Sequence, residues 1–259
     1  MTLCDLPLLV VFPGENVQCV NQDVVVKSCV ASLHRSLFSG RITCFRSREM
    51  PLFRIERAGL NEISVEGLDS SASGGSRQVS SRELLFRICE FVGPGPRQWV
   101  IVARGGCLAL RNIDHLIPPE QAGNYGPPEV DFYWARVGRG DSNNELATPG
   151  FWAVRGEHLA LVLERWKAAW NRESGAGSEI EEEVWTRVVC TLPLRKRAFE
   201  KGEVVAPRIG AVDWEAVSNA AFVTVPDWPE KEAWKFLQAL YFGTYLGDET
   251  GMMLNTLEA

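Results

Sequence analysis

Residues 97–119, RQWVIVARGGCLALRNIDHLIPP, constrain the fold more than any other stretch of the sequence. The apolar run 99–103 predicts a buried strand, Gly105 and Gly106 break it, and a second short apolar run follows at 107–110. In an α/β protein, ligands bind beyond the carboxyl end of such a strand. We therefore expect a functional site at this turn, although its Arg-Gly-Gly sequence offers no acid, histidine or serine for chemistry.

The segments before this stretch alternate between strand and helix. Residues 8–12 predict a first strand, 22–38 a helix with apolar residues at helical spacing, and 42–45 and 62–68 two further strands. Ser80 and Glu83 fit a capping box, which predicts a helix that ends at Gly93. Strands alternating with helices are typical of a mainly parallel sheet flanked by helices.

The second half of the chain continues the same alternation. It predicts strands at 130–137 and 151–154, helices at 157–170 and 180–190, extended segments at 203–214 and 220–225, and a last helix that includes Trp234 and Tyr241. With 259 residues and 28.8 kDa, the chain suffices for one substantial core and is short for two enzyme domains. We expect a single α/β domain over residues 1–259.

Composition excludes several classes of function. A net charge of -6 and a pI near 5.3 argue against a nucleic-acid binder, which needs clustered Lys and Arg to neutralise phosphates. Apolar runs are too short to span a membrane, and the N-terminus lacks the basic region of a secretory signal, so we expect a cytoplasmic protein. The seven scattered cysteines are interpreted as reduced core residues.

Familiar catalytic motifs are absent from the sequence. It contains no phosphate-binding G-x-x-x-x-G-K-[ST], no dinucleotide-binding G-x-G-x-x-G after a strand, no G-x-S-x-G and no H-E-x-x-H. The three histidines, His34, His115 and His158, provide little material for a catalytic triad or a zinc site.

Residues 100–117 carry a resemblance to a known family. CLALRNIDHL, at 107–116, resembles the thr-leu-val-leu-arg-asn-ile-asp-glu-leu run of glycogenin-like and lipopolysaccharide-galactosyltransferase-like enzymes. TPGFWAV, at 148–154, resembles their phe-asn-ser-gly strand. The resemblance implies a single GT-A-like domain, a nucleotide sugar as partner and hexosyl transfer as reaction. It also implies acceptor-side candidates, with Glu182 and Glu183 in place of an Asp-Gln pair: Thr148, Gly150, Glu182 and Glu183.

The sequence departs from this family at the metal site. In the family, two aspartates of an Asp-x-Asp motif hold a divalent cation such as manganese, which neutralises the diphosphate. The motif falls on Arg104, Gly105 and Gly106 here, and no histidine follows His158 to serve as the later metal ligand. We therefore predict no metal site and no cofactor.

Arg104 suggests a substitute for the missing metal. A guanidinium can bind a diphosphate bidentately, and glycines allow close approach of the backbone. The nucleotide and phosphate candidates are Pro13, Gly14, Asn16, Arg104, Gly105 and Gly106. The alternative interpretation makes Arg104 a solvent-facing turn residue. Asp114, by the same local reasoning, is expected to cap a helix that starts near His115.

Three functions remain open from the sequence. The first is a divergent nucleotide-sugar transferase with a metal-independent phosphate site. The second is a catalytically inactive relative that binds a sugar nucleotide or another protein through the same cleft. The third is an unrelated α/β scaffold that assembles through exposed aromatic residues such as Trp228 and Trp234. A homo-oligomer is compatible with each.

Overall fold

A computed structural model describes residues 6–12, 22–47, 59–65, 81–104, 106–117, 130–137, 146–173, 181–208, 210, 212–225 and 230–245. Its strands are β1 Leu8–Phe12, β2 Arg41–Ser47, β3 Leu60–Val65, β4 Trp99–Arg104, β5 Gly106–Ala109, β6 Phe132–Val137, β7 Leu146–Arg155, β8 Lys196–Ala198, β9 Val204–Val205 and β10 Phe222–Val225. Its helices are α1 Gln22–Arg35, α2 Ser81–Phe86, α3 Ile88–Phe91, α4 Leu159–Glu173, α5 Glu181–Thr191, α6 Trp214–Asn219 and α7 Glu230–Tyr245.

A mainly parallel sheet of seven strands forms the centre of the fold, in the order β3-β2-β1-β4-β7-β6-β8. β3, β2, β1 and β4 run parallel to one another, and β8 runs parallel to β6. β7 is antiparallel to both of its neighbours, β4 and β6. The predicted α/β class with a mixed, mainly parallel sheet is confirmed.

The direction of strand addition reverses between β1 and β4. β2 and β3 are added on one side of β1, and β4 pairs with β1 on the other side. In open α/β sheets, ligands bind outside the carboxyl ends of the strands at such a switch point. Phe12 and Arg104, the last residues of β1 and β4, are register partners and mark this point.

β5 leaves the central sheet and joins a second, three-stranded sheet in the order β5-β10-β9. Gly106 begins β5 where the chain packs tightly. A Cβ atom there would lie 2.7 Å from Leu237 Cδ1 and 2.8 Å from Val225 Cγ2. A larger residue at this position would force these side chains to shift. The sequence predicted the apolar run that contains β5 but not the separate sheet.

β4 divides the core into two layers because its side chains alternate between the faces of the sheet. Ile101 and Ala103 pack in the layer that contains α1, and Val100 and Val102 in the layer that contains α4 and α5. Three tryptophans fill the second layer, with ring centroids 4.3 to 6.4 Å apart: Trp152, Trp166 and Trp185. Trp166 on the predicted helix is thus a core residue, as its spacing among leucines indicates.

Several local predictions need correction. β7 begins at Leu146 and runs for 10 residues, well before the predicted strand at 151–154. The extended segment predicted at 203–214 is wrong at its end, because Trp214 begins α6 and the Asp213 carboxylate accepts the N–H of Ala216 at 3.0 Å. β8 is not among the predicted strands, because Lys196 and Arg197 are charged and lie in no apolar run; they are exposed, yet they pair with β6.

Asp114 has a different partner from the one predicted. It lies in a 3-10 turn, Asp114–Leu116, but its carboxylate accepts the backbone N–H of Ser39 at 3.0 Å instead of capping that turn. Ser39 follows α1, where Leu37 has a φ of 59°. This hydrogen bond links the segment after α1 to the segment after β5. The helix predicted at 22–38 ends earlier, at Arg35.

Candidate functional site

The candidate site lies at the carboxyl edge of the sheet between β1 and β4. Of its predicted residues, Pro13, Gly14 and Asn16 follow β1 and lie outside the described residues, as does Gly105. Arg104, in contrast, lies within the described residues.

Arg104 is buried, so the interpretation as a solvent-facing turn residue is wrong. Its side chain lies on the face of the sheet covered by α4 and α5. There Nη1 donates to Glu181 Oε1 at 2.7 Å, and the guanidinium carbon lies 5.1 Å from the centroid of the Trp166 ring. The end of β4 is thus tied to the first residue of α5.

A second arginine binds the same carboxylate. Arg82 Nη2, in α2, lies 3.1 Å from Glu181 Oε2, and its guanidinium stacks 3.5 Å from the centroid of the Trp170 ring. The side chains of Arg104, Glu181 and Arg82 are 4%, 10% and 17% exposed. Each carboxylate oxygen therefore accepts one guanidinium, and these three side chains together carry one net positive charge. We call them the arginine–glutamate cluster.

Glu181 stays ionised in this cluster. Burial alone raises the pKa of the carboxyl group, but the charges and hydrogen bonds of Arg104 and Arg82 lower it, and the net result is a pKa below the ordinary value of 4.5. At neutral pH the cluster is therefore two cations around one anion.

Glu182 and Glu183 follow in the first turn of α5 and are partly exposed. Glu182 Oε2 lies 3.8 Å from Arg208 Nη2. The Glu182 carbonyl accepts the Thr186 hydroxyl at 2.7 Å, and that hydroxyl accepts the N–H of Ala147 at 2.9 Å. Thr186 thereby holds the start of α5 against the start of β7, which brings these glutamates to the same edge of the sheet.

Thr148 and Gly150 lie in β7 and are buried. Phe151 pairs with Ala103, so the residues just before it run beside Arg104. The Thr148 hydroxyl accepts the N–H of Gly150 at 3.0 Å, where the pairing of β6 with β7 shifts register. The hydroxyl of Thr148 thus supports the local shape of β7.

Sequence reasoning missed Arg82, Trp170 and the role of Glu181. Glu181 stands next to Glu182 and Glu183, and three consecutive glutamates are typical of a solvated helix face. A signal was nevertheless present: Glu181 lies three, four and seven positions before the buried residues Val184, Trp185 and Val188, and so on the apolar face of the helix. A charge on the buried face of a helix needs a partner.

The described residues at the end of β4 do not fit a divalent cation. Arg104 offers a guanidinium and no carboxylate, and both oxygens of the nearby Glu181 carboxylate already pair with arginines. Within the described part of the chain, no three His, Cys, Asp or Glu side chains come together as a set of metal ligands.

Comparison of the structure with solved structures shows the same fold in a glycosyltransferase involved in the glycosylation of the major capsid of PBCV-1. The two chains are 13% identical, the match covers 90% of this chain and 99% of the other, and the TM-score is 0.51. At this identity the likeness establishes the fold alone.

Comparison by sequence adds no relative. No model of a protein family matches the chain, and no curated protein matches it significantly. Among the helices that the structure describes, none has the length and apolar character needed to cross a bilayer.

Proposed function

We propose that the chain is a glycosyltransferase-like protein that binds a nucleotide sugar at the carboxyl edge between β1 and β4. One observation carries the proposal. The strand order places the switch point between Phe12 and Arg104, and the fold around it is shared with a glycosyltransferase over 90% of the chain. Ligand sites in open α/β sheets collect at this position.

In this proposal the guanidinium groups of the arginine–glutamate cluster bind the diphosphate. Guanidinium groups form strong, often bidentate hydrogen bonds with phosphate oxygens. Glu181 holds Arg104 in place at the end of β4. The segment Pro13, Gly14 and Asn16 and the backbone at Gly105 complete the proposed phosphate site. Gly106 contributes by allowing β5 to pack, as its Cβ contacts require.

We place the proposed acceptor-binding residues at the same edge of the sheet, on α5 and β7. Glu182 and Glu183 open α5, and Thr148 and Gly150 run beside Arg104 in β7. No catalytic residue is assigned among them. A second candidate function, nucleotide-sugar binding without transfer, is favoured by the ion pair of Arg104 with Glu181 where the related enzymes carry metal-binding carboxylates.

A binding screen tests the proposal. The purified protein is heated with UDP-, GDP-, CMP- and dTDP-sugars, each with manganese and with a chelator. A ligand that binds only the folded state raises the melting temperature. We expect one nucleotide class to raise it equally in both conditions. The absence of a shift with every nucleotide would refute the proposal, and a shift that requires manganese would refute the metal-independent site.

Variants and product analysis sharpen the result. Arg104→Lys keeps the charge but removes the bidentate geometry and is expected to weaken the binding of the nucleotide sugar at least tenfold. Arg87→Ala is the matched control, because Arg87 pairs with Glu90 on the surface and is expected to bind like the wild type. Release of a nucleoside diphosphate in the presence of sugar acceptors distinguishes transfer from binding alone.

A further inference from the structure

Two buried thiols face each other between α1 and β5. The Sγ atoms of Cys29 and Cys107 lie 3.2 Å apart, although the residues are separated by 78 positions in the sequence. Both residues are completely buried. The hydrogen bond with Cys107 and burial raise the pKa of Cys29 well above the ordinary value. At neutral pH Cys29 is therefore a thiol, in contact with the sulfur of Cys107.

A second contact fixes the two elements around this pair. The hydroxyl of Ser32, one turn beyond Cys29 on α1, accepts the N–H of Ala109 at 2.9 Å and donates to the Cys29 carbonyl at 2.7 Å. Ala109 lies two residues after Cys107, on the same face of β5. The distance between the two sulfur atoms is thus set by the packing of α1 on β5.

A polar side chain, that of Thr224, lies beside Cys107. It is the register partner of Cys107 on β10, and paired residues of antiparallel strands project to the same face of a sheet. The Thr224 hydroxyl is buried and has no hydrogen-bond partner among the described residues. An oxygen atom added to the Cys107 sulfur would therefore have a hydrogen-bonding group beside it.

We propose that Cys29 and Cys107 are an oxidation-sensitive pair that forms a reversible disulfide between α1 and β5. A disulfide has a sulfur–sulfur distance of about 2.0 Å, so the two atoms must approach by about 1.2 Å from their present separation of 3.2 Å. The inference is independent of the proposed function, because it depends only on the two thiols and the packing around them.

The oxidant is a small hydroperoxide, since both thiols are enclosed by the core. The Cys107 sulfur attacks one peroxide oxygen, the O–O bond breaks, and the released hydroxide takes the thiol proton to leave as water. The Cys29 sulfur then attacks the sulfur of the resulting sulfenic acid. The S–O bond breaks, and its oxygen leaves as a second water with the Cys29 proton. Two thiols are oxidised to one disulfide, and one hydrogen peroxide is reduced to two waters.

The disulfide would link the two elements that follow the switch-point strands. α1 is the first helix after β1, and β5 begins directly after Gly105. Because the bond would close a long loop, it would restrict the unfolded chain and raise the denaturant concentration at which the protein unfolds. A reductant such as dithiothreitol would reverse both effects.

Peptide mapping of the oxidised protein tests the proposal. The folded chain is treated with hydrogen peroxide and the peroxide is removed. The protein is then unfolded in urea with N-ethylmaleimide present to block the remaining thiols, and the digest is analysed by mass spectrometry without reduction. We expect a cross-linked peptide pair that contains Cys29 and Cys107, which disappears after dithiothreitol. If both cysteines of the folded, peroxide-treated protein carry N-ethylmaleimide, or end as sulfinic acids without a cross-link, the proposal is refuted.

Single variants provide the controls. Cys29→Ser and Cys107→Ser are each expected to remove the cross-link and the oxidation-dependent rise in unfolding midpoint. Cys89→Ser and Cys190→Ser change exposed cysteines and are expected to retain both. Since the mapping on the wild-type chain needs no variant, failure of a serine variant to fold leaves the test intact. A rise in midpoint that survives in a folded Cys107→Ser variant would also overturn the proposal.

Discussion

Arg104 Nη1 lies 2.7 Å from Glu181 Oε1, so the last residue of β4 and the first residue of α5 form a buried ion pair across 77 positions of the sequence. Arg82 binds the other oxygen of the same carboxylate. The pair lies at the carboxyl edge of the sheet, beside the switch point between β1 and β4.

Removal of one partner of this pair is expected to destabilise the fold. Arg104→Ala leaves the Glu181 carboxylate buried with Arg82 as its remaining partner, and loss of a hydrogen bond to a charged group costs about 1.5 to 3 kcal/mol. Urea denaturation measures the free energy of unfolding. Arg87→Ala, in an exposed ion pair with Glu90, serves as the control and is expected to unfold at the wild-type midpoint. Equal losses in the two variants would contradict a special role for the buried pair.

Acid is expected to weaken the same cluster. The pKa of Glu181 in the folded chain lies below its ordinary value of 4.5, so the folded state binds the proton less readily than the unfolded state. The stabilisation is complete above the unfolded pKa and is lost as the pH falls through the folded pKa. Denaturation curves from about pH 7 to about pH 3 should show a smaller acid-dependent loss for Glu181→Gln than for the wild type. Parallel curves would disprove this contribution.

Gly106→Ala is expected to destabilise the junction between the two sheets. The added Cβ would lie 2.7 Å from Leu237 Cδ1 and 2.8 Å from Val225 Cγ2, and overpacking of this kind costs about 1 to 3 kcal/mol. Gly93→Ala is the control, because nothing lies within 4 Å of its Cβ position. Chemical denaturation compares the variants. Gly106→Ala should cost less stability in a Leu237→Ala background than in the wild type, because the clashing side chain is shorter there. An equal cost in both backgrounds would show that the clash is not the cause.

Lys196 is expected to stabilise the end of α5. Its Nζ donates to the carbonyls of Val189, Cys190 and Leu192 at 2.7, 2.6 and 3.1 Å. A cation at the carboxyl end of a helix satisfies carbonyls and interacts favourably with the helix dipole. Lys196→Met should lower the free energy of unfolding by about 1 to 2 kcal/mol. Arg197→Met is the control, because Arg197 is the exposed neighbour of Lys196 on β8. An equal loss of stability in both variants would show that removal of any cation from this strand has the same effect.

Local patterns predicted much of the fold. β1 begins and ends where the sequence indicates, at residues 8 and 12, and β4 differs from its prediction by one residue. Both are continuous apolar runs, which fully buried strands require. α4 follows from its apolar spacing and was predicted within a few residues. β8 escaped prediction because its three residues gain their strand structure only from pairing with β6.

The candidate site, too, could be predicted only in part from the sequence. The sequence by itself determined that a buried strand ends close to Arg104, that glycines follow it, and that no carboxylate stands at this turn, since these are properties of neighbouring residues. Only the tertiary structure decided that Arg104 is buried, that Glu181 and Arg82 surround its charge, and that Cys29 meets Cys107. Each of these contacts joins residues far apart in the chain, and their geometry is set by how helices pack on the sheet.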